Sequence, residues 1–121
     1  MNPPAFFGSA RAPTTPDVSL DLWVLPHALE RLRLHHPNVG VRGALALLGR
    51  AEEIPPGVAA PLLGRSLEGV RDRYFLAHDR AGVYVIARSY PGSSFGWVMM
   101  TYLRFGPYQQ DVAVSLYGIA A

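Results

Sequence analysis

Two residue types in the first third of the chain could carry acid–base and anion-binding chemistry. His27, Arg31 and His35 recur at intervals of four, so a helix over this segment would present them on one face. An imidazole can take up or release a proton near neutral pH, and a guanidinium can bind a phosphate through two parallel hydrogen bonds. The same stripe is also typical of a helix face in contact with water, and the residues alone leave both interpretations open.

A second group of polar residues lies near the end of the chain. Thr101 is a polar residue within the apolar segment VMMTYLRF, where it could offer a hydroxyl to a ligand or simply favour a strand. Tyr102 and Arg104 alternate onto the strand face opposite Thr101. Arg88 ends the preceding predicted strand and could reach a phosphate or point into water. These residues could take part in the same chemistry only if the fold brings them close to the histidine stripe, the helix face formed by His27, Arg31 and His35.

Several common kinds of site have no support in the sequence. There is no cysteine, the nine acidic residues are scattered, and the histidines are not at chelating spacing. Glycine-rich phosphate loops, nucleophile elbows and HExxH segments are also missing. We therefore expect neither a metal nor an organic cofactor.

The composition is that of a folded domain. The chain has 121 residues, of which 50% are hydrophobic and 17% charged, and no apolar run approaches the length of a membrane span. The net charge of +2 is too small to indicate a nucleic-acid-binding protein by itself, although all 11 basic residues are arginine. No segment resembles a signal peptide, so we expect a soluble protein of the cytoplasm, with a secreted effector as the alternative.

Turn residues and hydrophobic periodicity predict the helices and strands that must position these residues. Residues 1–18 are rich in proline and predict a flexible tail, and residues 19–121 predict a single domain. Two helices are expected, one beginning near Pro26 and one over 42–52, with a short helical turn at 57–63. After Gly64 the period changes to two. The predicted strands cover 73–78, 83–88, 97–105 and 111–117, with a further short strand at 65–70.

The predicted fold class is therefore α+β. Two N-terminal helices precede an antiparallel meander sheet of four or five strands, and the helices pack on one sheet face. The segment Asp79-Arg80-Ala81-Gly82 has the residue types of a type I turn, so it should connect the strands 73–78 and 83–88 as a hairpin.

The segments HALERLRLHHPNVGVRGALALL and VMMTYLRF together resemble the barnase, EndoU, colicin and RelE-like superfamily of ribonuclease toxins, in its prophage and toxin-system branch. The resemblance covers roughly residues 20–118, and His27, Arg31 and Thr101 match its pattern. His35 stands where the superfamily more often has arginine. The resemblance implies an RNA substrate, and an antitoxin or immunity protein as a protein partner.

The activity implied by the resemblance is metal-independent cleavage of RNA, in which the 2′-hydroxyl attacks the neighbouring phosphate and leaves a cyclic phosphate. The catalytic residues would be His27, Arg31, His35 and Thr101, with Arg88, Tyr102 and Arg104 binding the substrate. We expect His27 and Arg31 to face the Thr101 region across one cleft.

Two other functions remain open from the sequence. One is a binding module of a phage or toxin locus that keeps the fold without catalysis. The other is a protein-interaction domain, since Phe95, Trp97 and Phe105 lie close together along the chain and could form an exposed apolar patch.

Overall fold

The computed structural model describes residues 21–67 and 71–118. Within them the chain forms four helices around a five-stranded sheet, in the order β1, α1, α2, β2, α3, β3, β4, β5, α4. The strands are β1 Leu22–Val24, β2 Glu52–Ile54, β3 Arg73–Leu76, β4 Gly82–Arg88 and β5 Trp97–Arg104. The helices are α1 Pro26–Arg33, α2 Val41–Gly49, α3 Pro56–Leu63 and α4 Pro107–Tyr117. None of these helices is long and apolar enough to cross a membrane.

The sheet has the strand order β1-β5-β4-β3-β2. The β5–β4 and β4–β3 pairs are antiparallel, as predicted. The unpredicted strand β2 is antiparallel to β3, whereas β1 runs parallel to β5. Both edge strands, β1 and β2, come from the first half of the chain, where we predicted no strand. Each has three residues, which is too short for a hydrophobic period to be recognised in the sequence. The predicted helix 42–52 ends earlier, at Gly49, and Glu52 belongs to β2 instead.

Helices cover both faces of the sheet, so the fold has three layers. On one face, the α1/α2 face, Ala28 and Leu32 of α1 and Ala44 and Leu48 of α2 pack on strand residues that include Phe75. On the other, the α3/α4 face, Ala59 and Leu62 of α3 and Ala113 of α4 pack on residues that include Val83 and Val85. The prediction of helices on a single face is therefore wrong, because α3 and α4 cover the second face.

Three helices begin with proline in their first turn: Pro26, Pro56 and Pro107. Proline fits there because its missing N–H would have no partner inside the helix. The starts of α1 and α3 confirm the predictions near Pro26 and at 57–63. Gly64 ends α3 with a φ of 70°, a left-handed conformation that glycine adopts at little cost.

The predicted strand 111–117 is wrong, since this segment belongs to α4. Val112, Val114 and Leu116 alternate as they would in a strand, but Leu116 is exposed while Ala113 is fully buried. The start signal Gly106-Pro107 is the feature that indicates a helix. The predicted strand at 65–70 is not found over 65–67, and both its last three positions and the predicted tail 1–18 lie outside the described residues.

A β-bulge in β5 decides which side chains share a face. Ile86 pairs with Met99 but Val85 pairs with Thr101, so Met100 is an extra residue opposite the continuous strand β4. Met99 and Tyr102 therefore lie on the same α1/α2 face although they are three residues apart. Thr101, opposite Val85, lies on the α3/α4 face.

Candidate functional site

The histidine stripe is not continuous in the structure. Helix α1 ends at Arg33, so His27 lies in its first turn, Arg31 in its last turn and His35 in the turn that follows. All three side chains are exposed.

The predicted cleft between α1 and Thr101 does not form. Helix α1 packs on the α1/α2 face, and Thr101 points to the opposite side of the sheet. The sheet therefore separates His27 and Arg31 from Thr101, and the predicted convergence is wrong. The Thr101 hydroxyl is buried and has no hydrogen-bond partner within the described part of the chain.

Three of the predicted residues do meet at the other end of α1. The rings of His35 and Tyr102 are in edge contact, with centroids 6.2 Å apart and planes at 69°. Arg104 lies beside the Tyr102 phenol, and its positive charge acts to lower the pKa of that phenol. Contact with its neighbours desolvates part of the exposed His35 ring and lowers its pKa, and the positive charge of Arg104 lowers it further, so the neutral imidazole is favoured.

Beside this group is a concave site that we call the hairpin pocket, because the β3–β4 hairpin forms one wall. It has a volume of about 210 Å³. Its lining comes from the residues that follow α1, from the end of α2, from the hairpin turn and from the sheet: His36, Leu47, Arg50, Ala77, His78, Asp79, Tyr84 and Tyr102.

Two buried tyrosines from adjacent strands line the sheet side of the pocket. Tyr84 and Tyr102 are cross-strand partners with ring centroids 4.9 Å apart. Burial, and then the negative charge of Asp79, raise the pKa of Tyr102 to about 12. Burial also raises the pKa of Tyr84 well above its usual value. Both phenols therefore stay protonated at neutral pH and can donate hydrogen bonds.

Gly82 allows Tyr102 to take its position. A Cβ atom added at Gly82 would lie 2.6 Å from the Tyr102 Oη and 2.7 Å from the Leu103 carbonyl oxygen. The Tyr102 phenol therefore rests on the bare backbone at the start of β4, where any side chain would displace it.

The hairpin turn holds His78 and Asp79 at the pocket. The hairpin is confirmed, but its tight turn covers Ala77–Arg80 rather than 79–82, since the Arg80 N–H donates to the Ala77 carbonyl at 2.9 Å. The Asp79 carboxylate accepts a hydrogen bond from the Ala81 N–H at 3.0 Å. Arg80 has a φ of 61° and is buried, with a guanidinium that donates to Ala77, Glu52 and the end of α4.

The hairpin pocket thus combines acid–base and cationic groups from separate elements. His36 follows α1, His78 comes from the hairpin, and Arg50 follows α2. Arg104 is exposed beside Tyr102 and near His35. Such a site can exchange protons with a bound molecule and can balance negative charge on it.

Arg88 is placed away from this pocket. It ends β4 six residues after Gly82, which corresponds to about 20 Å along an extended strand. Its guanidinium carbon lies 5.0 Å from the ring centroid of Trp97.

The site predicted from the sequence did not include five polar residues that line the pocket: His36, Arg50, His78, Asp79 and Tyr84. His36 directly follows His35 and precedes Pro37, so the sequence predicts that it lies just after the end of a helix. The sequence does not predict which residues of other elements it contacts. His78 looked like a surface residue beside a turn. Only the packing of α2 against β3 and β4 brings Arg50 toward the hairpin.

Within residues 21–67 and 71–118, no group of three or more histidine, aspartate or glutamate side chains is arranged to hold a metal ion. No family model, curated protein or solved structure matches this chain.

Proposed function

We propose that this protein is a metal-independent endoribonuclease of the toxin type, with the hairpin pocket as its active site. One observation carries the proposal: His36 and His78, from two different elements, line one pocket with Arg50 and two protonated tyrosines. The activity is the one expected from the sequence, but the site is different, since His27, Arg31 and Thr101 are not part of the pocket.

The reaction requires two proton transfers. A base accepts the proton of the ribose 2′-hydroxyl as that oxygen attacks the neighbouring phosphorus. An acid gives a proton to the 5′-oxygen as its bond to phosphorus breaks, which leaves a cyclic phosphate and a free 5′-hydroxyl. His36 and His78 are the proposed pair for these transfers, and His35 at the edge is a further neutral imidazole suited to act as base.

Negative charge grows on the phosphate oxygens during the attack. Arg50 lines the pocket and Arg104 lies beside it, so both are proposed to hold these oxygens. The phenols of Tyr84 and Tyr102 are the proposed neutral donors, because their raised pKa values keep them protonated.

The test is cleavage of RNA in the presence of a chelator, with products analysed for a cyclic phosphate end. We expect His36→Ala and His78→Ala each to lower the rate by about 10²–10⁴-fold, the usual loss for a general acid or base. His27→Ala is the matched control, because His27 is an exposed histidine of α1 that does not line the pocket. Its rate should equal that of the wild type.

The outcomes separate the two sites. A large loss in His27→Ala with normal rates in the two pocket variants would overturn the pocket assignment and favour the site expected from the sequence. A wild-type protein that binds RNA without cutting it would overturn the enzyme and favour the binding module. Circular dichroism and thermal melting of each variant would show that it is folded.

A protein-interaction domain is the second candidate function, and one surface favours it. Trp23 and Phe95 stack with centroids 6.2 Å apart, and each is about 40% exposed, as is Met100. Phe105 is buried and Trp97 half-buried, so the exposed patch differs from the one expected. An antitoxin or immunity protein is the proposed partner, and binding of such a protein should be lost in a Trp23→Ser, Phe95→Ser double variant.

A further inference from the structure

Two arginines lie against the same aromatic side chain at the end of the sheet remote from the hairpin pocket. The guanidinium carbons of Arg73 and Arg88 are 4.8 and 5.0 Å from the ring centroid of Trp97. Trp97 pairs with Arg88 across β4 and β5, and its ring packs against the hydrophobic core of the α1/α2 face. The indole therefore holds both cations in defined positions.

Among the residues that the structure describes, only one of the two arginines forms an ion pair with a carboxylate. Arg73 makes a bidentate ion pair with Glu53, with Nε–Oε2 and Nη2–Oε1 distances both of 2.8 Å. Arg88 is exposed, and no carboxylate pairs with it in the described part of the chain. Arg88 is thus a cation held by stacking, near a second cation whose charge Glu53 already balances.

We propose that Arg88, stacked on Trp97, is a second phosphate-binding subsite that holds a single-stranded polynucleotide away from the bond that is cut. This inference rests on the proposed function, since the polynucleotide is the RNA substrate. The guanidinium fork that stacking leaves open matches two oxygens of a phosphodiester. The subsite lies about 20 Å from the Gly82 end of β4, so a substrate must extend over several nucleotides to reach both.

Binding can be measured without cleavage by using a DNA oligonucleotide, which has no 2′-hydroxyl to react. The chain has two tryptophans, so Trp23→Phe leaves Trp97 as the only indole reporter. We expect the oligonucleotide to change Trp97 fluorescence and to bind about tenfold more weakly to Arg88→Ala. The slope of log affinity against log salt should fall by about 0.7 in that variant, as for the loss of one phosphate contact with a single strand. Arg88→Lys should restore only part of the affinity.

Arg42→Ala is the control for net charge, because Arg42 is an exposed arginine of α2 that lines neither the pocket nor the Trp97 stack. It should bind the oligonucleotide like the wild type. Equal losses in Arg42→Ala and Arg88→Ala would overturn the subsite, since any arginine would then serve. Equally tight, Arg88-dependent binding of a polyglutamate peptide would also overturn it, in favour of an acidic protein partner.

Cleavage assays separate this inference from the proposed function. Arg88→Ala should raise the KM for a long RNA while leaving kcat, and the cleavage of a dinucleotide, unchanged. Unchanged KM values on both substrates, with normal cleavage, would refute the subsite and leave the proposed enzyme intact. If no RNA is cut but DNA binding depends on Arg88, the enzyme fails and the phosphate subsite stands.

Discussion

Arg80 should be among the largest single contributors to stability, although its backbone conformation is unfavourable. Its φ of 61° is left-handed, which costs a non-glycine residue about 1 kcal/mol. Against this, its buried guanidinium donates at 2.6 Å to the Gly118 carbonyl and at 3.2 Å to the Ala77 carbonyl. It also pairs with Glu52 at 3.2 Å and donates to the Tyr117 carbonyl at 3.4 Å.

The expected magnitudes follow from these contacts. A hydrogen bond from a charged donor contributes about 1.5–3 kcal/mol when buried, whereas the pair with the half-exposed Glu52 contributes less than about 1 kcal/mol. We expect Arg80→Gly to lower the free energy of unfolding by about 3 kcal/mol, since it removes the guanidinium but relieves the backbone. Arg80→Ala should lower it by about 4 kcal/mol, because alanine keeps the left-handed cost.

Urea unfolding followed by circular dichroism gives these free energies, provided the slope with urea is unchanged between variants. The difference between the glycine and alanine variants isolates the backbone cost, and the loss in the glycine variant reports the guanidinium contacts. If the two variants were equally stable, the left-handed strain would be refuted. A loss below about 1 kcal/mol in Arg80→Gly would mean that the guanidinium contacts contribute little beyond what water supplies.

Three further predictions concern the sheet and the pocket. Gly82→Ala should displace the Tyr102 phenol and abolish RNA cleavage. Gly57→Ala is the control, because Gly57 has open space around it, and this variant should cleave RNA normally. A folded Gly82→Ala protein with full activity in a cleavage assay would contradict the close contact. Thr101→Val should raise the free energy of unfolding by about 1 kcal/mol and leave RNA cleavage unchanged, because it removes a buried hydroxyl without a partner. A variant less stable than the wild type would show that the hydroxyl makes a hydrogen bond. The Tyr102 pKa of about 12 lies above its unfolded value of 10.0, so the folded state binds more protons between these values and stability falls as the pH rises from about 10 to 12. Tyr102→Phe should reduce this loss, measured by urea unfolding at each pH, although Tyr84, whose pKa is also raised, keeps part of it. An unchanged dependence on pH would refute the burial of the Tyr102 phenol.

The parts of the fold that the sequence predicted are those with strong local signals. Helix starts at Pro26 and near Pro56, and the hairpin between β3 and β4, depend on turn residues and periodicity within a few positions. The three-residue edge strands carry too short a pattern, and the alternation of Val112, Val114 and Leu116 imitates a strand within α4. These local ambiguities are resolved only by what each segment packs against.

The predicted cleft between α1 and Thr101 is wrong for a different reason. His27, Arg31 and Thr101 were grouped because they match the pattern of the ribonuclease toxin superfamily, but which sheet face carries α1 is a property of the whole topology. Alternation along β5 did place Tyr102 and Thr101 on opposite faces, as the structure has them. Tyr102, Arg104 and His35 meet because α1 ends near the hairpin end of β5, which no local pattern indicates.

The extra residue Met100 in the β5 bulge is a feature by which relatives of this chain could be distinguished. A relative without this extra residue would have an unbroken alternation, and its equivalents of residues 97–99 would exchange faces relative to residues 101–104. It could keep Tyr102 over Gly82 only by turning Met99 out of the α1/α2 core, or keep that core only by losing the tyrosine from the pocket. The inserted residue therefore couples the core to the pocket, and its presence or absence should separate relatives that keep this pocket from those that have built another.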